Sequence, residues 1–309
     1  MNPVTSDFDS SLRLAKPVDP VPQAELGHLE TLWFQVTGTI CNLRCSHCFI
    51  SCSPDNHTLE LMSRAQVKDY LAEALEIGVK EIYFTGGEPF LHPEIFEILE
   101  DALAVAPTTV LSNGVLITER FARRLGELAA ASEYSLEIRV SLDAPDEEVN
   151  DAIRGAGVFG RALRGLLRLE RAGLLPIVTA TELVVEEGRI HARPGDDSFY
   201  RKFHDLLARH GLRPARVKIL PVFNMGMLDG RGTSTLVTRG MLAGFDTREL
   251  QCSSGRLVAH DGVYACPILA GESGARMSES GLSEALRPCS LYHPSCATCL
   301  ITGMTCRNF

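Results

Sequence analysis

The chain has 309 residues, 45% of them apolar and 22% charged, which is enough to bury a hydrophobic core and too evenly mixed for a disordered or fibrous protein. Thirty basic against 39 acidic side chains leave a net charge of −9, which argues against a broad basic face for nucleic acid. No apolar run is long enough to span a bilayer, and Asp7, Asp9 and Pro17 stand where a signal peptide needs apolar residues, so a cytoplasmic protein with no membrane partner is expected.

Residues 1–30 read as a polar arm, because Pro17, Pro20 and Pro22 interrupt any helix and no apolar period persists. Six strand-like runs follow, at 32–37, 81–85, 109–112, 135–141, 177–183 and 216–220, most of them rich in β-branched or aromatic residues. Amphipathic helix patterns lie between them. The clearest starts after Ser63 as N-cap, carries Val67, Tyr70, Leu71, Ala74 and Leu75 along one face, and stops at Gly78. Others cover roughly 93–106, 118–131, 160–172 and 198–211. Alternating β/α units predict an α/β fold whose parallel sheet is wound by right-handed crossovers into an open or closed barrel. The alternation stops near Gly230, where Gly and Ser become frequent. The expected organisation is therefore an arm at 1–30, a core at 31–229 and a small extension at 230–309.

Cysteine is the unusual count: ten, in one group at 41, 45, 48 and 52 and a second at 252, 266, 289, 296, 299 and 306. In a reducing compartment such groups hold metal or do chemistry more often than they form disulfides. The distinctive residues also fall at strand C-terminal ends, the face where parallel α/β folds build their sites. After the first strand come Cys41, Cys45 and Cys48, after the second Gly86, Gly87 and Glu88, after the third Asn113 and Gly114, and at the end of the fourth Ser141 and Asp143. Turn preference alone explains Asn113-Gly114 but not the cysteines.

Three thiolates spaced C-x3-C-x2-C on one loop can converge on one metal centre. With Cys52 as a fourth ligand they would enclose zinc, and a non-catalytic zinc protein, structural or nucleic-acid-binding, is the competing reading. With three, a four-iron cluster keeps one iron open to a small chelating molecule. The spacing, together with Gly86-Gly87-Glu88-Pro89 after the second strand, Ser141 and Asp143 on the fourth and Arg154-Gly155 downstream, resembles the radical S-adenosylmethionine (radical SAM) superfamily over about residues 31–225.

That resemblance implies a partial (β/α)6 barrel and an enzyme that reductively cleaves SAM to a 5′-deoxyadenosyl radical. Cys41, Cys45 and Cys48 would hold a [4Fe-4S] cluster with SAM at the open iron. His47 takes the position whose neighbourhood contacts adenine, Gly86, Gly87 and Glu88 the segment that receives the SAM amino group, and Ser141, Asp143 and Arg154 positions that meet its hydroxyl or carboxylate groups. The radical would take a hydrogen atom from a small-molecule or peptide substrate, leading to oxidation, epimerisation or cross-linking, with electrons from a flavodoxin- or ferredoxin-like donor. Thirty N-terminal residues are too few for a leader-binding domain, which favours a small molecule or a peptide delivered by a separate partner.

In the extension, 257–264 with Asp261-Gly262 reads as a hairpin that brings Cys252 and Cys266 together, and Cys296 and Cys299 form C-x2-C. This resembles the SPASM and twitch extensions of the same superfamily, a cysteine-rich α+β appendage, and implies one auxiliary [4Fe-4S] cluster on Cys252, Cys266, Cys296 and Cys299, with a two-cluster arrangement as the variant. Cys289 and Cys306 are then spare, as hydrogen-atom donors to a substrate radical or as substitute ligands or filler. Glu182, Lys218 and Asn224 near strand ends are candidates to orient substrate, or equally salt-bridge and turn residues.

Overall fold

A computed structural model describes residues 21–186, 189–192, 197–212, 215–229, 235–304 and 306–307. Most of the N-terminal arm and the expected boundary at residue 230 lie outside the described residues. The two-residue strand β1 (Gln23–Ala24) leads into β2 (Thr31–Gln35), α1 (Arg64–Ile77), β3 (Glu81–Thr85), α2 (Ile95–Leu103), β4 (Thr108–Ser112), α3 (Glu119–Ala131) and β5 (Leu136–Ser141). Then come α4 (Glu147–Arg154), α5 (Val158–Arg171), β6 (Ile177–Thr181), the hairpin β7 (Leu183–Glu186) and β8 (Arg189–Ala192), α6 (Asp197–Arg209) and β9 (Arg216–Leu220). The C-terminal part holds α7 (Arg239–Leu242), β10 (Gly255–Ala259), β11 (Gly262–Tyr264), β12 (Arg276–Ser278), β13 (Cys289–Ser290) and α8 (Pro294–Thr302).

One sheet of nine strands, ordered β12-β11-β10-β2-β3-β4-β5-β6-β9, organises the chain, and its pairings from β10 to β9 are parallel. Helices cover these strands, so β2 is buried at all five positions and reads as Thr-Leu-Trp-Phe-Gln rather than as an alternating pattern. Among the described residues the ladder does not return from β9 to β2, yet residues of β2, β3, β4, β5, β6 and β9 all line one cavity. A flat sheet could not do this; the six strands curve into a partial barrel with the cavity inside.

The six strands and five long helices stand within a few residues of their sequence-based positions. Helix α1 matches to the residue: the Ser63 hydroxyl accepts from Gln66 N, the Gln66 side chain returns the bond to Ser63 N, and Gly78 closes the helix at φ 83°. Val67, Leu71 and Ala74 are its buried stripe. Helix α4 is capped by the Asp146 side chain, and Glu147 and Glu148 stand in its first turn, where negative charge complements the helix dipole. Two details differ. The run at 177–183 is broken at Glu182, and Leu183 opens the separate hairpin β7–β8. The β10–β11 turn uses His260 and Asp261, since Ala259 pairs with Gly262; a Cβ on Gly262 would stand 2.2 Å from the Ser278 carbonyl of the next strand.

The C-terminal hairpin continues the core sheet through the β10–β2 pairing. Fully buried Arg256 on β10 donates to the carbonyls of Cys252, Gly255, Ala285 and Arg287, so one guanidinium gathers the loops that carry Cys252 and Cys289. At the other end, β13 pairs with β1 and sets Cys289 opposite Ala24.

Candidate active site

The loop after β2 carries Cys41, Cys45, Cys48 and Cys52, all of which line the cavity, whose volume is about 190 Å³. Its shape is held from several sides. Ser46 donates through both N and Oγ to the Ile153 carbonyl of α4, Met227 N donates to the Cys48 carbonyl, and Asn113 Nδ2 donates to Asn42 Oδ1 at 2.7 Å. The two glycines after β3 are required by this loop. A Cβ on Gly86 would meet Thr37 Oγ1 at 2.2 Å, and one on Gly87 the Ile40 carbonyl at 2.0 Å. Gly86, at φ 145°, is also in backbone territory that favours glycine. The Gly-Gly pair thus lets the third strand's exit pass against the cysteine loop, a contact the sequence did not reveal.

Glu88 and Asp143 do not line the cavity. Each is fully buried behind it and orders the residues in front. Glu88 accepts from Ser112 Oγ at 2.8 Å, Asn113 N at 2.7 Å and Phe90 N at 3.2 Å, and burial pushes its carboxyl up to about 7 against those bonds. Asp143 Oδ1 accepts from Thr181 N, while Oδ2 faces Arg154 Nε at 2.7 Å and His47 Nε2 at 3.1 Å. Burial opposes its ionisation, but the charges of Arg154 and His47 outweigh that and hold the carboxyl well below its usual range. Arg154 and His47 themselves line the cavity, and Arg154 Nη1 stands 4.0 Å from Cys45 Sγ. Ser141 lines it as well.

The thiols differ in setting. Burial pushes Cys41 up to about 12 and Cys45 up to about 11. The Cys52 thiol donates to Cys48, which lowers Cys48 and raises Cys52, and Cys52 Sγ also faces the Gly86 carbonyl. Among the described residues no group of three or more His, Cys, Asp or Glu side chains is gathered as it would be around a single metal ion. Three thiols ringing a cavity, beside a fourth turned onto its neighbour, fit a multi-iron cluster with one open iron better than a closed zinc site.

A second cavity is lined by all six C-terminal cysteines, with Cys289 hydrogen-bonded to Cys252; burial first, and then the nearby Cys296 and Cys306, push the Cys266 and Cys299 thiols up. Cys289 and Cys306 are therefore not set apart from the four expected ligands. Cys306 and Ile268 line both cavities.

Comparison with known proteins agrees with this architecture. Residues 36–188 match the model of the Radical SAM superfamily, and the chain belongs to that superfamily, with a cysteine-rich C-terminal extension. It is 41% identical over 134 residues to the mycofactocin maturase MftC of Mycobacterium tuberculosis, covering 43% of this chain and 32% of that protein. It is 30% identical over 153 residues to the subtilosin biosynthesis protein AlbA of Bacillus subtilis, covering 49% and 33%. The matched segment thus spans about a third of these relatives. Among solved structures, SuiB of Streptococcus suis bound to precursor peptide SuiA superposes with a TM-score of 0.64 at 14% identity, over 85% of this chain and 65% of that one. The anSMEcpe structure with bound AdoMet gives 0.58 at 16%, over 81% and 77%. At these identities the likeness is one of fold.

Several cavity residues escaped the sequence reading. Asn113 looked like a turn residue, and Trp33, Gln35 and Arg139 lay inside strand patterns. Gln35 and Arg139, long polar side chains within strand patterns of a two-sided sheet, were the available signal, since such residues are seldom buried without a role.

Proposed function

We propose that the chain is a radical SAM enzyme of maturase type that reductively cleaves SAM and abstracts a hydrogen atom from a peptide or small-molecule substrate. The carrying observation is that Cys41, Cys45 and Cys48 share one cavity with Gly86, Gly87 and Arg154, inside a partial barrel. A [4Fe-4S] cluster on the three thiols, with SAM at its remaining iron, supplies a one-electron carbon–sulfur cleavage and a 5′-deoxyadenosyl radical. The protein's part is to bind, orient and exclude water. Arg154, fixed by Asp143, presents a cation for the SAM carboxylate; the backbone at Gly86-Gly87 offers carbonyls to its ammonium; Ser141 and His47 flank the remainder. Leu43, Ile50, Val222 and Phe223 give the cavity an apolar wall that keeps water from a reactive radical.

The second cavity supports one auxiliary [4Fe-4S] cluster. Cys252, Cys266, Cys296 and Cys299 remain the proposed ligands, with Cys289, on Cys252, as the nearest substitute. The position of Cys306 on both cavities suits a hydrogen-atom donor or an auxiliary ligand facing substrate. The likeness to SuiB, solved with a precursor peptide, favours a peptide substrate. A flavodoxin- or ferredoxin-like protein would supply electrons, and a cytoplasmic setting would keep the thiols reduced; no described helix is long and apolar enough to cross a membrane.

The test is anaerobic reconstitution. The protein should be brown, contain stoichiometric iron and sulfide, and form 5′-deoxyadenosine from SAM with a low-potential reductant. Cys45→Ala should abolish that product and Cys52→Ala should not. Colourless protein holding zinc alone would return the zinc reading.

A further inference from the structure

Arg139 is 1% exposed in the middle of β5, yet it lines the cavity. Its Nε donates to Thr179 Oγ1 at 3.1 Å and its Nη1 to the Cys306 carbonyl at 2.7 Å. Among the described residues no carboxylate oxygen lies within 4.0 Å of it. Lys218 on the adjoining part of the sheet, near enough to repel it, donates to the Arg307 carbonyl and also has no carboxylate within that distance among the described residues. Guanidinium stays charged at any ordinary pH, and burying such a charge without an adjacent anion is costly. The same cavity holds two further buried polar atoms without a partner among the described residues, Trp33 Nε1 and Gln35 Oε1. A donor, an acceptor and the Arg139 guanidinium all line one cavity and describe a binding floor, with the Lys218 ammonium behind it.

The anion that belongs there is distinct from the SAM carboxylate. Ser141 and Arg154 stand at the cysteine rim, whereas Arg139 is two residues earlier on β5, about 7 Å deeper along the strand.

We propose that Arg139 anchors a carboxylate of the substrate, so that the enzyme acts on a carboxylate-bearing molecule: a free peptide C-terminus or a small organic acid. Lys218 strengthens the site from behind, and Trp33 and Gln35 meet the neighbouring polar groups. This assignment rests on the radical SAM reading and names its substrate class.

The experiment is equilibrium dialysis of reconstituted, SAM-loaded protein with N-acetyl-dialanine and with its C-terminal primary amide, which has nearly the same shape and no charge. The wild type should bind the acid at least tenfold tighter than the amide. Arg139→Gln should bring that ratio to about one, Arg139→Lys should keep part of it, and Lys218→Met should lower it two- to threefold. Since Arg139→Gln removes a buried group and can misfold, the Lys218 variant and the conservative Arg139→Lys carry the test independently. Acetate as a third probe separates a small acid from a peptide end; tight binding of either acid supports the anchor. Absence of any preference in the wild type overturns the proposal, as does an undiminished preference in the folded Arg139→Gln protein. So does a loss of SAM affinity in that variant larger than its loss of acid affinity, which would assign the anion to the cofactor. The ratio does not depend on SAM cleavage, so failure to form 5′-deoxyadenosine sinks the functional reading alone.

Discussion

Arg154 Nε lies 2.7 Å from Asp143 Oδ2, and both side chains are buried, so the cation that faces the cysteine cavity is aimed by an acid that never reaches it. Removing one partner of a buried pair costs about 3–5 kcal/mol, because the other charge is left behind. Asp143→Asn should therefore lower the melting temperature, raise the SAM dissociation constant at least tenfold, and leave iron content near the wild-type value. Unchanged SAM affinity in a protein that has lost stability would reduce the pair to a structural role.

Gly87 gives a steric prediction. Alanine there would push its Cβ to 2.0 Å from the Ile40 carbonyl and 2.8 Å from Cys41 N, atoms of rigid backbone that must move. Gly87→Ala should destabilise the protein by about 1–3 kcal/mol and lower iron incorporation, because the displaced segment carries Cys41, the first of the proposed ligands. Iron analysis after reconstitution, set beside a control substitution at Gly240, where a Cβ meets nothing nearer than 3.8 Å and the backbone is not left-handed, tests the coupling; equal iron in the two would sever it.

Glu88 predicts a pH dependence. Its carboxyl titrates near pH 4.5 when unfolded and is pushed up to about 7 by burial when folded. Between these values the folded state holds more protons than the unfolded, so this residue's contribution to stability falls as pH rises through the window. Melting temperatures from pH 4.5 to 7 should show that decline in the wild type and lose it in Glu88→Gln. A slope that survives the substitution belongs to another group.

Arg256 should be indispensable to the second cysteine group. It bonds the carbonyls of Cys252, Ala285 and Arg287 from a fully buried position, and no smaller side chain reaches all three. Arg256→Met leaves those acceptors unsatisfied, at about 1–3 kcal/mol each. Iron in the proposed C-terminal site should drop while the iron assigned to Cys41, Cys45 and Cys48 persists, a difference that Mössbauer or EPR spectra resolve. Equal loss from both sites would count against a separate role.

The elements themselves were legible. Ser63 and Gly78 mark α1 at both ends because capping is a local matter of hydrogen bonds and backbone angles, and the apolar β-branched runs mark strands because a two-sided parallel sheet buries every residue. The cysteine groups were equally plain as positions in the sequence, the first because Cys41, Cys45 and Cys48 lie within eight residues of one loop. The hairpin β7–β8 was not, for its first strand follows β6 after a single residue and merges with it in an apolar pattern. Nor did local signals show that Glu88 and Asp143 turn inward: which way a carboxylate points depends on donors such as Asn113 and Arg154, contributed by distant segments.

Local sequence carried the β/α order, the two thiol groups and the pattern that matches the Radical SAM superfamily. What surrounds the thiols is set by packing: a curved sheet brings six strands to one cavity, all six later cysteines line a second, and among the described residues Arg139 faces the first with no carboxylate oxygen within 4.0 Å. The reason is physical. Spacing fixes what neighbours along a chain can do together, whereas burial and charge balance are properties of segments that meet only once the sheet has closed around them.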